Sequence, residues 1–170
     1  MKRVILVGFM GSGKTTLGKK LANKLNVPFI DSDAEIENHF NKTVGELFAE
    51  HGESHFRELE REYIEALDLR VDFVLATGGG MPCFGDNMDL LNKVGTTFYL
   101  ERSAKELAHR LAHAKQQRPL ISGLEKDELL EFIDSKLQER EEYYKKAKVI
   151  LGREEQTPEG IMSFLEHLHP

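Results

Sequence analysis

Residues 8–16 read GFMGSGKTT and fit the pattern G-x-x-x-x-G-K-[ST] at Gly8, Gly13, Lys14 and Thr15, with a further glycine at Gly11. A loop of this kind needs a strand to deliver it and a helix to leave it. RVILV, residues 3–7, is apolar and mostly β-branched, which reads as a strand buried in a parallel sheet. The following TTLGKKLANKL carries Leu17, Leu21, Ala22 and Leu25 as a helical stripe. In that setting the backbone N–H groups of Gly11, Ser12, Gly13, Lys14, Thr15 and Thr16 converge on a phosphate at the helix N-terminus, where the dipole also favours negative charge. Lys14 then neutralises the terminal phosphates and Thr15 ligates Mg²⁺. A glycine-rich turn without a ligand is the competing reading, and the complete motif between strand and helix argues against it.

The alternation continues along the chain. VPFID is a second short strand, followed by a helix from about Ala34 to Phe40. TVGELFAEHG opens on Thr43 and Glu46, the spacing of a capping box, and closes on Gly52, a helix stop. The charged helix ESHFRELEREYIEALDLR turns Phe56, Leu59, Tyr63 and Leu67 inward, and DFVLATGGG is a third strand ending on three glycines. A helix over about Asp86 to Asn92, the strand TTFYLE and the helix SAKELAHRLAHA come next. KQQRPLISG, residues 115–123, is polar and aperiodic and is expected to be a mobile loop. DELLEFIDSKLQEREEYYKKA is the last long helix, KVIL a further strand, and TPEGIMSFLEHL a closing helix with Thr157 at its cap and Pro158 at its first position. Strands alternating with helices predict an α/β fold, doubly wound about a central parallel sheet in three layers. The 170 residues are expected to form one domain.

Several polar residues stand where such a sheet binds ligands. Asp31 and Asp33 in FIDSDAE are expected on one side of the second strand's C-terminal edge, one reaching the magnesium shell and the other an acceptor hydroxyl. The alternative is that one of them caps the next helix. Arg57 follows the inward Phe56 and lies three residues before Glu60, which fits either a ligand contact or a surface ion pair. Arg140 is more informative. In the last long helix the inward stripe runs Leu130, Ile133, Leu137, Arg140, Tyr144, so a guanidinium occupies a position patterned for the core and calls for an anionic ligand. TGGG, residues 77–80, offers either a close approach of backbone to ligand or φ > 0. Arg118 precedes Pro119 in the polar loop, where it either folds over phosphates or stays solvated. His109 and His113 lack the glutamate of a zinc-protease motif, and Tyr143, Tyr144 and KKAK read as a solvated helix end.

Charge and composition exclude other classes. A formal net charge of −6 repels an extended nucleic-acid backbone while leaving local Arg and Lys clusters able to hold a small anion. Cys83 is the single cysteine, so no intramolecular disulfide forms. No stretch approaches the ~20 apolar residues of a membrane span, and the apolar run before Gly8 is too short for a signal peptide. A cytoplasmic location is expected, without membrane or nucleic-acid partners.

GFMGSGKTT, DSD, FRELE, TGGG, RPL and EREEYY occur in the order, and at roughly the separations, found in shikimate kinases, and this resemblance spans nearly the whole chain. It implies a P-loop, nucleoside-monophosphate-kinase-like fold, with substrate-binding helices at about 34–62 and a lid at about 113–124. It also implies ATP-dependent phosphorylation of the shikimate 3-hydroxyl, on the route to chorismate and aromatic amino acids. By resemblance, Lys14 and Arg118 attend the phosphates, Thr15 holds Mg²⁺, and Asp31 assists the metal through water. Asp33 contacts the reacting hydroxyl, so that Lys14, Asp33 and Arg118 form the catalytic set. Arg57 and Arg140 grip the carboxylate, with Glu60 and the backbone of Gly78, Gly79 and Gly80 beside them. Arg110 is similar to the residue that stacks on adenine, and Gln156 falls near the base, although VILGREEQTPE departs from the Asp or Thr often found early in that segment. A monomer is expected. A gluconate or nucleoside-monophosphate kinase of the same fold, or a nucleotide-binding regulator without catalysis, are the alternatives.

Overall fold

The computed structural model describes residues 2–114 and 121–168. Strands β1 (Arg3–Val7), β2 (Phe29–Asp31), β3 (Phe73–Ala76), β4 (Thr96–Leu100) and β5 (Val149–Leu151) form one sheet in the order β2-β3-β1-β4-β5, with every neighbouring pair parallel. Between and after them come helices α1 (Lys14–Leu25), α2 (Ser32–Phe40), α3 (Val44–Glu65), α4 (Asn87–Val94), α5 (Ala104–Ala112), α6 (Lys126–Tyr144) and α7 (Pro158–Leu168).

The layering follows from the period of two in a strand. Val4 and Leu6 of β1 pack with Leu17 and Leu21 of α1 and Ile161 of α7. Ile5 and Val7, pointing the other way, pack with Ile64 of α3, Leu91 of α4, Leu107 of α5 and Ile133 of α6. Both faces of the sheet are therefore covered, as a parallel sheet requires. A smaller cluster of Ile36, Leu47, Phe56 and Leu59 joins α2 to α3.

Four local details refine the expectations. First, α3 breaks at Gly52, whose φ of 80° and ψ of 171° leave the helical region, so the stop lies inside a longer helical run. A Cβ there would meet nothing within 4 Å, so the glycine serves the backbone conformation and not packing. The capping box ahead of it forms as the spacing predicts: the Glu46 N–H donates to Thr43 Oγ1 at 3.2 Å and the Thr43 N–H to Glu46 Oε2 at 2.7 Å. Second, α2 begins at Ser32, two residues before Ala34, because Asp31 accepts from the N–H groups of Asp33 and Ala34 at 3.1 and 3.2 Å. Third, Asp33 is therefore a first-turn helix residue and does not share a strand with Asp31. Fourth, the buried stripe of α6 starts at Leu129, not Leu130, because steps of four through Ile133 and Leu137 keep to one face.

The loop expected at 115–123, with Arg118 and half of the proposed lid, lies largely outside the described residues. No helix of the described residues is long and apolar enough to cross a membrane.

Candidate active site

All five strands of the parallel sheet end at one edge, where the phosphate loop follows β1, Asp31 closes β2 and the glycine segment follows β3, while Arg57 and Arg140 come in from α3 and α6. The loop after β1 is built on Gly8, Gly11 and Gly13, with φ of 148°, 76° and 99°, values that a side chain would resist. Its helix α1 has no acidic residue in the first turn, which keeps the positive end of the dipole uncompensated. Lys14 is buried, and its ammonium donates to the carbonyls of Gly8 and Phe9 at 2.7 and 2.9 Å and to Ser12 Oγ at 3.4 Å. The charge is thus folded into the loop, where an anion would outcompete these three uncharged oxygens.

Asp31 closes the adjacent strand and works with both oxygens. While Oδ1 caps α2, Oδ2 accepts from Thr15 Oγ1 at 3.3 Å. Capping and proximity to the loop, posed as alternatives by the sequence, are both satisfied by one carboxylate. Asp33, in the first turn of α2, lies against the glycine segment: a Cβ placed on Gly78 would fall 2.5 Å from Asp33 Oδ1. Ser32 Oγ accepts from the Gly78 N–H at 2.9 Å and ties the two segments together.

None of Gly78, Gly79 and Gly80 adopts positive φ, so the three glycines serve close approach and not backbone reversal. A Cβ on Gly79 would lie 3.2 Å from the Met10 amide nitrogen and 3.6 Å from Arg140 Nη1. One on Gly80 would lie 2.5 Å from both terminal nitrogens of Arg57. Arg57 and Arg140, from different helices, are thereby brought to the same short backbone segment.

The Arg57 side chain is only 13% exposed and its guanidinium carbon sits 4.1 Å from the ring centre of Phe84, with Phe56 and Phe48 at 5.6 and 5.7 Å. It donates to Glu60 at 2.7 Å and to Glu53 at 3.2 Å, so the ion pair foreseen from the spacing forms, but inside the molecule and not on its surface. Burial pushes the Glu60 carboxyl up to about 7 against the pull of Arg57, with the charge of Asp33 adding to the push. Arg140 lies with its guanidinium carbon 5.6 Å from the ring centre of Phe9, and no carboxylate of the described residues forms an ion pair with it.

On the other side of the phosphate loop is a cavity of about 200 Å³ lined by residues including Gly13, Thr16, Arg102, Arg110, Gln156 and Pro158. Arg110 donates to the Gly11 carbonyl at 2.7 Å and Arg102 to that of Ser12 at 2.9 Å. Gln156 spends its amide N–H groups on the carbonyls of Glu101 and Leu151, at 2.8 and 3.0 Å. Its Oε1 is buried without a partner among the described residues.

The sequence reading missed Phe9, Phe48, Phe84 and Arg102. Only Phe9 carried a signal, its place inside the loop motif; Phe48 meets Arg57 within α3 across the break at Gly52, and Phe84 and Arg102 reach the site through packing between distant segments. Tyr144 is fully buried, as its place at the end of the inward stripe of α6 predicts and against its grouping with a solvated helix end, and its hydroxyl donates to the Gly79 carbonyl at 2.5 Å. The His109 and His113 rings lie 4.5 Å apart and tilted by 39°, and no group of three potential metal ligands occurs among the described residues.

The sequence model of the shikimate kinase family matches residues 10–168. A curated shikimate kinase of Bacteroides fragilis is 53% identical over 150 residues, covering 88% of this chain and 84% of its own. Among solved structures, a shikimate kinase from Bacteroides thetaiotaomicron superposes with a TM-score of 0.88 at 45% identity over 99% of both chains. One from Acinetobacter baumannii, in complex with shikimate, gives 0.84 at 30% identity, covering 99% of this chain and 95% of that one.

Proposed function

The chain belongs to the shikimate kinase family, and we propose that it transfers the γ-phosphate of ATP to the 3-hydroxyl of shikimate, releasing ADP and shikimate 3-phosphate. The observation that carries this reading is the meeting of Arg57 and Arg140 at Gly79 and Gly80, beside Asp33 and the phosphate loop. Two guanidiniums on one side of a small site call for a compact acid, and a carboxylate one ring away from the reacting hydroxyl answers them.

In this reading ATP lies along the cavity by Arg110 and Gln156, its base beside Arg110 and its phosphates on the backbone of Gly11 to Thr16. Lys14 leaves the Gly8 and Phe9 carbonyls for the β- and γ-phosphates, so its charge stabilises the charge that spreads during transfer. Arg57 and Arg140 hold the acid while Asp33 orients the acceptor hydroxyl and takes its proton as the O–P bond forms. Glu60 keeps Arg57 in place from behind. Arg118, assigned from its motif, joins Lys14 on the phosphates. Thr15 and Asp31 present hard oxygen atoms 3.3 Å apart at the loop and fit a magnesium ion that takes its remaining ligands from phosphate and water. Such an ion, when bound, neutralises phosphate charge and helps align the nucleotide. Action as a cytoplasmic monomer completes the proposal.

A coupled assay of ADP release tests it, run with shikimate, quinate, gluconate and nucleoside monophosphates in turn. Turnover with shikimate far above the others is expected. Preference for gluconate or a nucleotide, or no turnover at all, would overturn it in favour of a sister kinase or a regulator.

A further inference from the structure

Three consecutive glycines have almost no intrinsic conformational preference, yet here each peptide must sit where Asp33, Met10 and Arg57 leave room for it. Something outside the segment must hold its orientation. The Gly79 carbonyl receives the Tyr144 hydroxyl at 2.5 Å and lies 3.8 Å from Cys83 Sγ. Tyr144 is fully buried at the end of α6 and stacks on Tyr99 of β4, ring centres 5.2 Å apart and planes inclined by 29°. It also stands four residues after Arg140, one turn along the same helix. A rigid ring clamped against the sheet thus presents one polar atom to the glycine segment.

We propose that Tyr144 is a positioning residue for the acid-binding side of the site. Its hydroxyl fixes the Gly79 peptide, and so keeps Gly78 against Asp33 and Gly80 against Arg57. The inference rests on the function proposed above but adds a residue that touches neither substrate. Burial raises the Tyr144 hydroxyl well above its ordinary range, so it remains a donor throughout the neutral range.

Tyr99 supplies the control. Its hydroxyl is also buried but has no hydrogen-bond partner among the described residues, so Tyr99→Phe removes a hydroxyl from the same stack without touching the glycines. With wild-type turnover of shikimate established first, Tyr144→Phe is expected to raise the KM for shikimate by roughly tenfold, the worth of one well-placed hydrogen bond. Its kcat and KM for ATP are expected to stay within about twofold, and Tyr99→Phe to leave all three constants unchanged. An unchanged shikimate KM in Tyr144→Phe, an equal rise for ATP, or the same rise in Tyr99→Phe would overturn the proposal.

A second measurement needs neither turnover nor a variant. In the wild-type protein the Tyr144 hydroxyl proton is expected to be protected from solvent exchange in an NMR spectrum, and rapid exchange would equally overturn the assignment. Failure of the shikimate assay itself would speak against the proposed function, leaving this reading of the Tyr144 to Gly79 bond to the NMR result.

Discussion

Arg57 is seated against Gly80 so closely that a single methyl group at that glycine would fall 2.5 Å from both of its terminal nitrogens. Gly80 has φ −90° and ψ −20°, a conformation open to any residue, so Gly80→Ala adds bulk without backbone strain. The guanidinium must then move off Phe84 and away from Glu60. Displacement of this order is expected to lower kcat/KM for shikimate by about 10²-fold while the KM for ATP stays near its wild-type value. Steady-state kinetics with each substrate varied in turn checks this, and equal losses for both substrates would count against it.

Asp33→Asn keeps the shape and one hydrogen-bonding oxygen but removes charge and basicity. Shikimate should still bind, with kcat reduced by at least ~10²-fold, since proton removal and orientation fail together. A variant that keeps more than about a tenth of the wild-type kcat would show that the acceptor proton has another destination, such as the γ-phosphate oxygens.

Asp31 separates into two roles by choice of substituent. Asparagine caps a helix as well as aspartate, so Asp31→Asn should unfold at nearly the wild-type temperature, whereas Asp31→Ala should lose about 1 kcal/mol with the cap. Both should need more Mg²⁺ for half-maximal rate. If Asp31→Asn were unaffected in its magnesium dependence, the carboxylate would be a cap alone.

Glu60 makes stability depend on pH with a definite sign. Its carboxyl titrates near 7 in the fold against an ordinary value of 4.5, so between those limits the folded chain holds a proton that the unfolded chain has released. The stability this contributes is complete below about pH 4.5 and is lost as pH rises through 7. Glu60→Gln cannot titrate, so wild-type stability measured relative to this variant should fall by about 3 kcal/mol across that window. Chemical denaturation at closely spaced pH values would reveal it, and a flat difference would mean that Glu60 is ionised throughout.

The sheet and the phosphate loop were legible because their signals are local. A β-branched run, a glycine motif and an apolar stripe each lie within a dozen residues, and the Thr43 and Glu46 capping box likewise declares itself over four. Arg140 was legible for a different reason, as a charge in a position patterned for the core. What escaped needed long-range packing. Nothing near Phe84 announces that it will face Arg57, some 27 positions earlier in the chain, and Arg102 reaches Ser12 only because β4 lies beside β1. Asp33 was expected on the strand edge beside Asp31, but the cap at Asp31 starts α2 earlier than the hydrophobic pattern alone implies and puts Asp33 on that helix.

Gly52 has a consequence for how the molecule breathes. Its extended ψ interrupts the hydrogen-bond ladder of α3, so the turns from Val44 to His51 draw no cooperativity from those that carry Arg57 and Glu60. They lean instead, with α2, on the small cluster of Ile36, Leu47, Phe56 and Leu59, separate from the two large clusters on the sheet. A unit with so few buried contacts opens at a lower free energy than the whole fold. The wall that bears Asp33 is therefore expected to open more readily than the phosphate loop on β1, which hydrogen exchange would register as weaker protection of α2 and of Val44 to His51 than of the strand and loop.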